Sequence, residues 1–234
     1  MQTKSYQDVY QETLDMALEI ESQIDVGVFV SVGPYPVDYL RLREKFGKVI
    51  AMDIMKKGMD QAAVLCEERK CVAIGEIGRP HFPVEEYILE ESNEILLYGM
   101  QKASEVGTAV VLHTESTTPE QCRELAEMGK KANLPAEKIV KHFAPPLIEY
   151  DENFGLIPSV LASKKNITEA IKKGTRFMME TDYIDDPRRP GAVLGPKTVP
   201  KRTFELLESG RATDEDLFMI HQQNPEKTYG IKIN

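Results

Sequence analysis

Short apolar runs alternate along the chain with longer segments in which apolar residues recur every three or four positions. The runs are rich in valine and isoleucine, and glycine or proline closes several of them, as is typical of buried strands. Strands are therefore predicted at 26–33, 71–76, 108–113, 139–143, 154–162 and 176–181. Helices are predicted at 8–22, 36–46, 57–69, 84–106, 119–132, 164–173, 197–209 and 213–221.

This strand–helix alternation predicts a parallel α/β sheet. Six strands suit an open doubly wound sheet, whereas a closed (β/α)8 barrel needs eight. The chain has 234 residues, an ordinary length for one α/β barrel domain, and no change of composition marks a second domain. We therefore expect a single domain over residues 1–234.

Composition narrows the function classes. The formal net charge is −9, so no broad basic surface is expected to hold nucleic acid, and any attraction for a phosphodiester has to come from a bound cation. The three cysteines have neither disulfide-framework nor zinc-ribbon spacing. No signal-peptide pattern and no apolar run of membrane-spanning length is present. We expect a cytoplasmic protein without a membrane partner.

Four polar residues lie at the carboxyl ends of predicted strands: Glu76, His113, His142 and Asp182. The carboxyl ends of parallel strands are where α/β folds bind ligands, so these side chains are expected to meet. Imidazole and carboxylate are ligands for Zn²⁺, Mn²⁺ or Fe²⁺, and a carboxylate can bridge two ions. The alternative is that each histidine is a hydrogen-bonded core residue.

Three further residues are candidates for substrate binding. His81 lies in the loop that follows Glu76, where it can line a pocket or ligate. Arg188 and Arg189 lie in the Pro/Gly-rich segment after Asp182, and guanidinium groups suit a phosphate or carboxylate substrate. The alternative for the arginines is a solvated loop in which they pair with Asp185 and Asp186. His221 lies on a predicted helix, which favours a structural role.

Four segments together resemble the TatD-like metal-dependent hydrolases, a group of amidohydrolase-type TIM barrels. They are "VAIGEIG" at 72–78, "VVLHTES" at 110–116, "KHFAPP" at 141–146 and "METDYIDDPRRPG" at 179–191. The residues around His81 and after Asp182 resemble an archaeal branch of the group more than the bacterial deoxyribonucleases.

The resemblance implies one or two divalent ions, which could be Zn, Mn, Mg or Fe. It makes Glu76 a bridging carboxylate, His113 and His142 ligands of one ion, and Asp182 the residue that contacts a metal and handles the proton of the attacking water. The implied activity is hydrolysis of a phosphodiester, with nucleic-acid ends as the family expectation and small molecules as the other substrate class.

The sequence departs from the family in one respect, because no His-x-His pair is present. In the family that pair ends the first strand, so we expect the chain to lack the first two barrel strands, with edges left unpaired at 26–33 and 176–181. This departure keeps other functions open. They are amide or lactone hydrolysis, a catalytically weakened metal-binding or interaction protein, and a metal-free α/β protein with purely structural strand ends.

Overall fold

The computed structural model describes residues 5–184, 186, 188 and 193–233. The strands are β1 (Ser31–Val32), β2 (Ala73–Gly78), β3 (Ala109–His113), β4 (Ile139–Ala144), β5 (Ile157–Leu161) and β6 (Met178–Glu180). The helices are α1 (Tyr6–Gln23), α2 (Asp38–Phe46), α3 (Lys48–Glu67), α4 (Glu86–Val106), α5 (Pro119–Lys131), α6 (Tyr150–Asn153), α7 (Lys164–Lys173), α8 (Thr198–Glu208), α9 (Asp214–Phe218) and α10 (Asn224–Tyr229). Among these described residues, no helix has the length and apolarity that crossing a bilayer requires.

The six strands form one parallel sheet in the order β1-β2-β3-β4-β5-β6. Every strand pairs with its successor in the chain, whereas a doubly wound sheet reverses its strand order at a switch point. The sheet is accordingly a curled half-barrel of the TIM type, and the predicted fold class is confirmed. Within the described residues, β1 and β6 each have a hydrogen-bonded neighbour on one side only, as expected for 26–33 and 176–181.

The main apolar core lies between the sheet and the helices that cover it. Met55 and Met59 of α3 and Met100 of α4 are almost completely buried with Ile74 and Ile77 of β2. Helix starts follow the sequence signals. Thr118 caps α5 in a reciprocal capping box with Gln121, and Pro119 takes the first helical position.

A buried ion pair ties α2 to α4. Glu91 of α4 is only 6% exposed, and its Oε2 accepts hydrogen bonds from the Tyr39 hydroxyl at 2.6 Å and from Arg43 Nε at 2.7 Å. Arg43 holds the pKa of this carboxyl below its usual range, with burial opposing the shift. The pair therefore connects α2 to α4 across the helix layer.

Several element bounds differ from the sequence prediction: β2 is shifted, β5 and β6 are shorter, and α6 was not predicted. Three further differences are larger. β1 pairs only over Ser31–Val32 because it has a single neighbour in the described sheet. α3 begins at Lys48 rather than 57, because packing buries Ala51 and Met52 although Val49 beside them is exposed. The last predicted helix continues through a π-helical turn into α10, which the sequence did not indicate.

Candidate metal centre

Glu76, His113 and His142 converge at the carboxyl end of the half-barrel. Oε2 of Glu76 lies 3.2 Å from Nδ1 of His113, and Oε1 of the same carboxylate lies 3.3 Å from Nε2 of His142. One ligand atom from each residue lies within 4.8 Å of the other two. A carboxylate between two imidazoles at this spacing is a donor set that suits a divalent cation.

Irregular strand pairing places two of these side chains. The β2–β3 register shifts between Gly75 and Ile77, on either side of Glu76. The β4–β5 register shifts between Lys141 and Ala144, the segment that contains His142. Such irregularities turn a side chain out of its regular direction, and they are common beside functional sites. Glu76 and His142 each lie two residues before the end of their strands, whereas the prediction had Glu76 as the last residue of its strand and His142 as the last but one.

Asp182 and Glu180 approach His142 from the last strand of the sheet. Oδ1 of Asp182 lies 3.6 Å from Nε2 of His142, and Oε1 of Glu180 lies 3.0 Å from Nδ1 of that ring. Asp182 adopts a left-handed backbone conformation, with φ at 48°. Glu180 at the end of β6 and Asp182 in the segment that follows it thus contact the two ring nitrogens of His142.

Glu180 is a contact that the sequence analysis missed. Its Oε1 also accepts the backbone N–H of Phe143 at 2.8 Å. A signal for it was present, because residues two apart on a strand share a face and Glu180 precedes Asp182 by two.

Charge balance at the centre favours a cation. Burial by itself would raise the pKa of Glu76, but the hydrogen bond from His113 and the charge of His142 hold it below its usual range. Burial would lower the pKa of His142, but the hydrogen bond to Glu180 raises it overall. Burial raises the pKa of Asp182. Three carboxylates facing two imidazoles leave a negative excess that a divalent ion would balance.

Lys141 adds a buried positive charge behind the centre. It is 2% exposed, and its ammonium donates a hydrogen bond to the carbonyl of His142. Burial lowers the pKa of Lys141 to about 8, while the charges of Glu180 and Glu115 oppose the shift.

His81 and Tyr35 lie against the other side of His113. Nδ1 of His81 is 2.8 Å from Nε2 of His113, and the Tyr35 hydroxyl is 3.4 Å from the same nitrogen. Both rings meet the His113 ring edge to face, with centroids 5.0 Å and 4.9 Å away. Burial and the neighbouring His113 lower the pKa of His81, which favours its neutral form.

The two arginine predictions differ in outcome. Arg188 has an 89% exposed side chain, and its guanidinium contacts Asp186 at 3.0 Å through Nε and at 3.2 Å through Nη2. This is the pairing that the sequence analysis gave as the alternative, and substrate binding by Arg188 stays a prediction. Arg189 and Asp185 lie outside the described residues.

His221 lies apart from the centre. It belongs to the π-helical turn Met219–Gln223, and its Nε2 lies 2.8 Å from the Thr203 hydroxyl of α8. Its ring therefore joins two C-terminal helices, which agrees with the structural role that its sequence position favours.

Known proteins share both the sequence pattern and the fold. The family model described as TatD related DNase matches residues 2–230. The uncharacterised protein MJ1127 of Methanocaldococcus jannaschii is 41% identical over 215 residues, which cover 92% of this chain and 76% of that protein.

Two solved structures from Escherichia coli share the fold. YJJV, a TatD homolog, has a TM-score of 0.64 at 21% identity and covers 94% of this chain and 83% of its own. The phosphotriesterase homology protein, complexed with phosphate in its active site, has a TM-score of 0.64 at 13% identity. This match covers 97% of the present chain and 90% of the phosphotriesterase homology protein. From the family match and the identity to MJ1127 together, this chain belongs to the TatD-related DNase family.

Proposed function

We propose that the protein is a metal-dependent hydrolase that cleaves phosphodiesters, with nucleic-acid ends as substrates. The convergence of Glu76, His113 and His142, with one ligand atom of each within 4.8 Å of the others, carries the proposal. These residues would hold one or two divalent ions, and Glu76 would be the carboxylate shared between two ions. Zn, Mn, Mg and Fe all remain candidates, because a mixed nitrogen and oxygen donor set does not choose among them.

A bound divalent ion would lower the pKa of an attacking water and polarise the scissile group. Asp182 would accept the proton of that water. Its carboxylate lies beside His142, and burial raises its pKa, which makes it a better proton acceptor than an exposed aspartate. Glu180 would hold the His142 ring through its Nδ1, so that Nε2 faces Glu76.

The substrate anion needs a partner at the mouth of the site. Arg188, Arg189 and His81 are the proposed partners, of which Arg188 would have to leave Asp186 when substrate binds. With a net charge of −9, long-range attraction for nucleic acid is weak, so recognition would depend on the bound ion and a few local contacts. This favours short ends over long duplexes.

The test starts from protein stripped of metal with a chelator and then supplied with Zn²⁺, Mn²⁺, Mg²⁺ or Fe²⁺. Hydrolysis of bis(p-nitrophenyl) phosphate and of oligonucleotide ends is compared with a panel of lactones and amides. We expect phosphodiester turnover that requires metal and falls at least about 100-fold in His142→Ala. His221→Ala is the control, because His221 contacts Thr203 and not the centre.

The other outcomes separate the alternatives. Turnover of lactones or amides without phosphodiester turnover would show that the substrate class is wrong. Stoichiometric metal without any turnover would favour a metal-binding or interaction protein. A chain that takes up no metal would leave the polar strand ends with a structural role only.

A further inference from the structure

The loop that leaves β2 is pressed against the end of β3. Gly78 pairs in register with His113 and has φ of 150°, and a Cβ on Gly78 would lie 1.9 Å from the His113 carbonyl oxygen. The next residue, Arg79, donates its backbone N–H to that same oxygen at 3.0 Å. Only glycine permits this approach, and it brings the loop against the backbone of His113.

The side chain of Arg79 fixes the loop in place. It is 1% exposed, and its guanidinium contacts Glu115 at 2.8 Å, Glu124 at 2.8 Å and Asn93 at 3.0 Å. These partners belong to the segment after β3, to α5 and to α4. A buried guanidinium with three hydrogen-bonded partners is rigid, because moving it would leave charges unpaired in the interior.

The same loop carries His81, two residues after Arg79. Its Nδ1 lies 2.8 Å from Nε2 of His113, while Nδ1 of His113 faces Glu76 at 3.2 Å. The two nitrogens of the His113 ring therefore have separate neighbours, one in the centre and one outside it. A ring that offers Nδ1 to a metal must carry its proton on Nε2, and that proton then needs an acceptor.

We propose that His81 is a positioning residue, whose Nδ1 accepts the Nε2–H of His113 and so fixes the tautomer and orientation of that ring for metal binding. This inference rests on the proposed function, since it assumes that His113 binds metal through Nδ1. It gives His81 a role distinct from the substrate contact predicted from the sequence. The Tyr35 hydroxyl, 3.4 Å from the same nitrogen, closes the other side of the ring.

Two variants test the role. His81→Ala removes the acceptor, and His81→Asn keeps an amide oxygen near the position of Nδ1. We expect His81→Ala to weaken Zn²⁺ binding about 10- to 100-fold in competition with a chromophoric chelator, because loss of a ligand's hydrogen-bond partner has effects of that size. His81→Asn should restore most of the affinity. His221→Ala is the matched control and should bind Zn²⁺ as the wild type does.

A second measurement needs no metal. In the metal-free protein with ¹⁵N-labelled histidine, we expect a coupling across the hydrogen bond between Nδ1 of His81 and Nε2 of His113, whichever of the two nitrogens carries the proton. Zn²⁺ should place that proton on Nε2 of His113, because Nδ1 of His113 is then used for the ion. Thermal unfolding of each variant would show that affinity changes do not reflect a loss of folded protein.

Each contrary result points to a different failure. Unchanged Zn²⁺ affinity in His81→Ala, with or without a raised KM, would overturn the positioning role. Equal losses in the Ala and Asn variants would overturn it in favour of direct ligation. If the protein binds metal normally but no coupling between His81 and His113 is seen, the hydrogen bond between them is overturned while the proposed function stands. The coupling in a wild type that binds no metal would instead overturn the proposed function and, with it, any metal-holding role for His81.

Discussion

Nδ1 of His142 lies 3.0 Å from Oε1 of Glu180, and this contact turns the opposite ring nitrogen toward Glu76. The glutamate is itself held, since the same oxygen accepts the backbone N–H of Phe143. A carboxylate fixed in this way orients the imidazole and increases its basicity, as expected of the outer partner of a metal-ligating histidine.

Glu180→Gln should weaken Zn²⁺ binding by about 10- to 100-fold, because the amide keeps the shape of the side chain but removes its charge. Chelator competition measures the change. Glu169→Gln, on the exposed face of α7, is the control and should bind Zn²⁺ normally. Unchanged Zn²⁺ affinity in Glu180→Gln would mean that the contact between Glu180 and His142 does not contribute to metal binding.

Asp182→Asn should lower the rate of hydrolysis while leaving metal binding intact. Asp182 lies outside the group of mutually close ligand atoms, so metal content should stay near that of the wild type. Loss of the proton acceptor should lower kcat by about 100- to 10,000-fold. Elemental analysis and turnover of bis(p-nitrophenyl) phosphate on one preparation measure both quantities. A proportional loss of metal and activity would make Asp182 a ligand rather than a proton acceptor.

Gly78→Ala should destabilise the protein by at least about 3 kcal/mol, because an added Cβ would strike the His113 carbonyl oxygen and φ of 150° is strained for alanine. Urea unfolding measures the free energy of unfolding. Gly195→Ala is the control, since its Cβ would meet nothing within 4 Å and no positive φ is involved. Equal stabilities for the two variants would contradict the close approach of β2 to β3.

Glu91→Gln should lower the free energy of unfolding at pH 7 by about 1–3 kcal/mol, because a buried charged acceptor for Tyr39 and Arg43 is lost. The folded-state pKa of Glu91 is depressed, so the carboxylate stabilises the fold above the unfolded pKa of about 4.3.

The stability difference between wild type and Glu91→Gln should therefore disappear as the pH falls through the folded-state pKa of Glu91. Urea unfolding at pH 7, 5 and 3.5 measures this trend. Glu90→Gln, an exposed neighbour on the same helix, is the control and should leave the free energy of unfolding at pH 7 near that of the wild type. A difference that grew toward low pH would reverse the assigned direction of the pKa.

The sequence predicted the fold well where a periodic pattern coincides with a packed element. α7 and the start of α5 agree to the residue, because their apolar faces and caps are local signals. The strand order could also be anticipated in part, since strand–helix alternation requires parallel pairing. The hydrophobic pattern alone did not distinguish a half-barrel from an open doubly wound sheet, because the two differ in which strands become neighbours and not in local pattern. The family resemblance favoured the barrel, and the observed strand order confirms it.

The site was predicted as a set of residues but not as an arrangement. Glu76, His113 and His142 converge, and Asp182 contacts His142 from outside that group. The contacts of Glu180 and His81 depend instead on a strand register and a loop path. The role of Arg79 was likewise not predicted from the sequence. A charged residue two positions before His81 looks solvated in the sequence, but Glu115, Glu124 and Asn93 surround it in the fold.

The sequential strand order has a consequence for how the centre assembles. Its three converging residues come from β2, β3 and β4, which are consecutive in the chain and adjacent in the sheet. All three therefore lie within residues 76–142, before β5, β6 and the C-terminal helices begin. The end of β6 instead supplies Glu180, which contacts His142 from outside the converging group. The donor set of the centre is thus contained in one uninterrupted segment of the chain, and the C-terminal part supplies carboxylates around it.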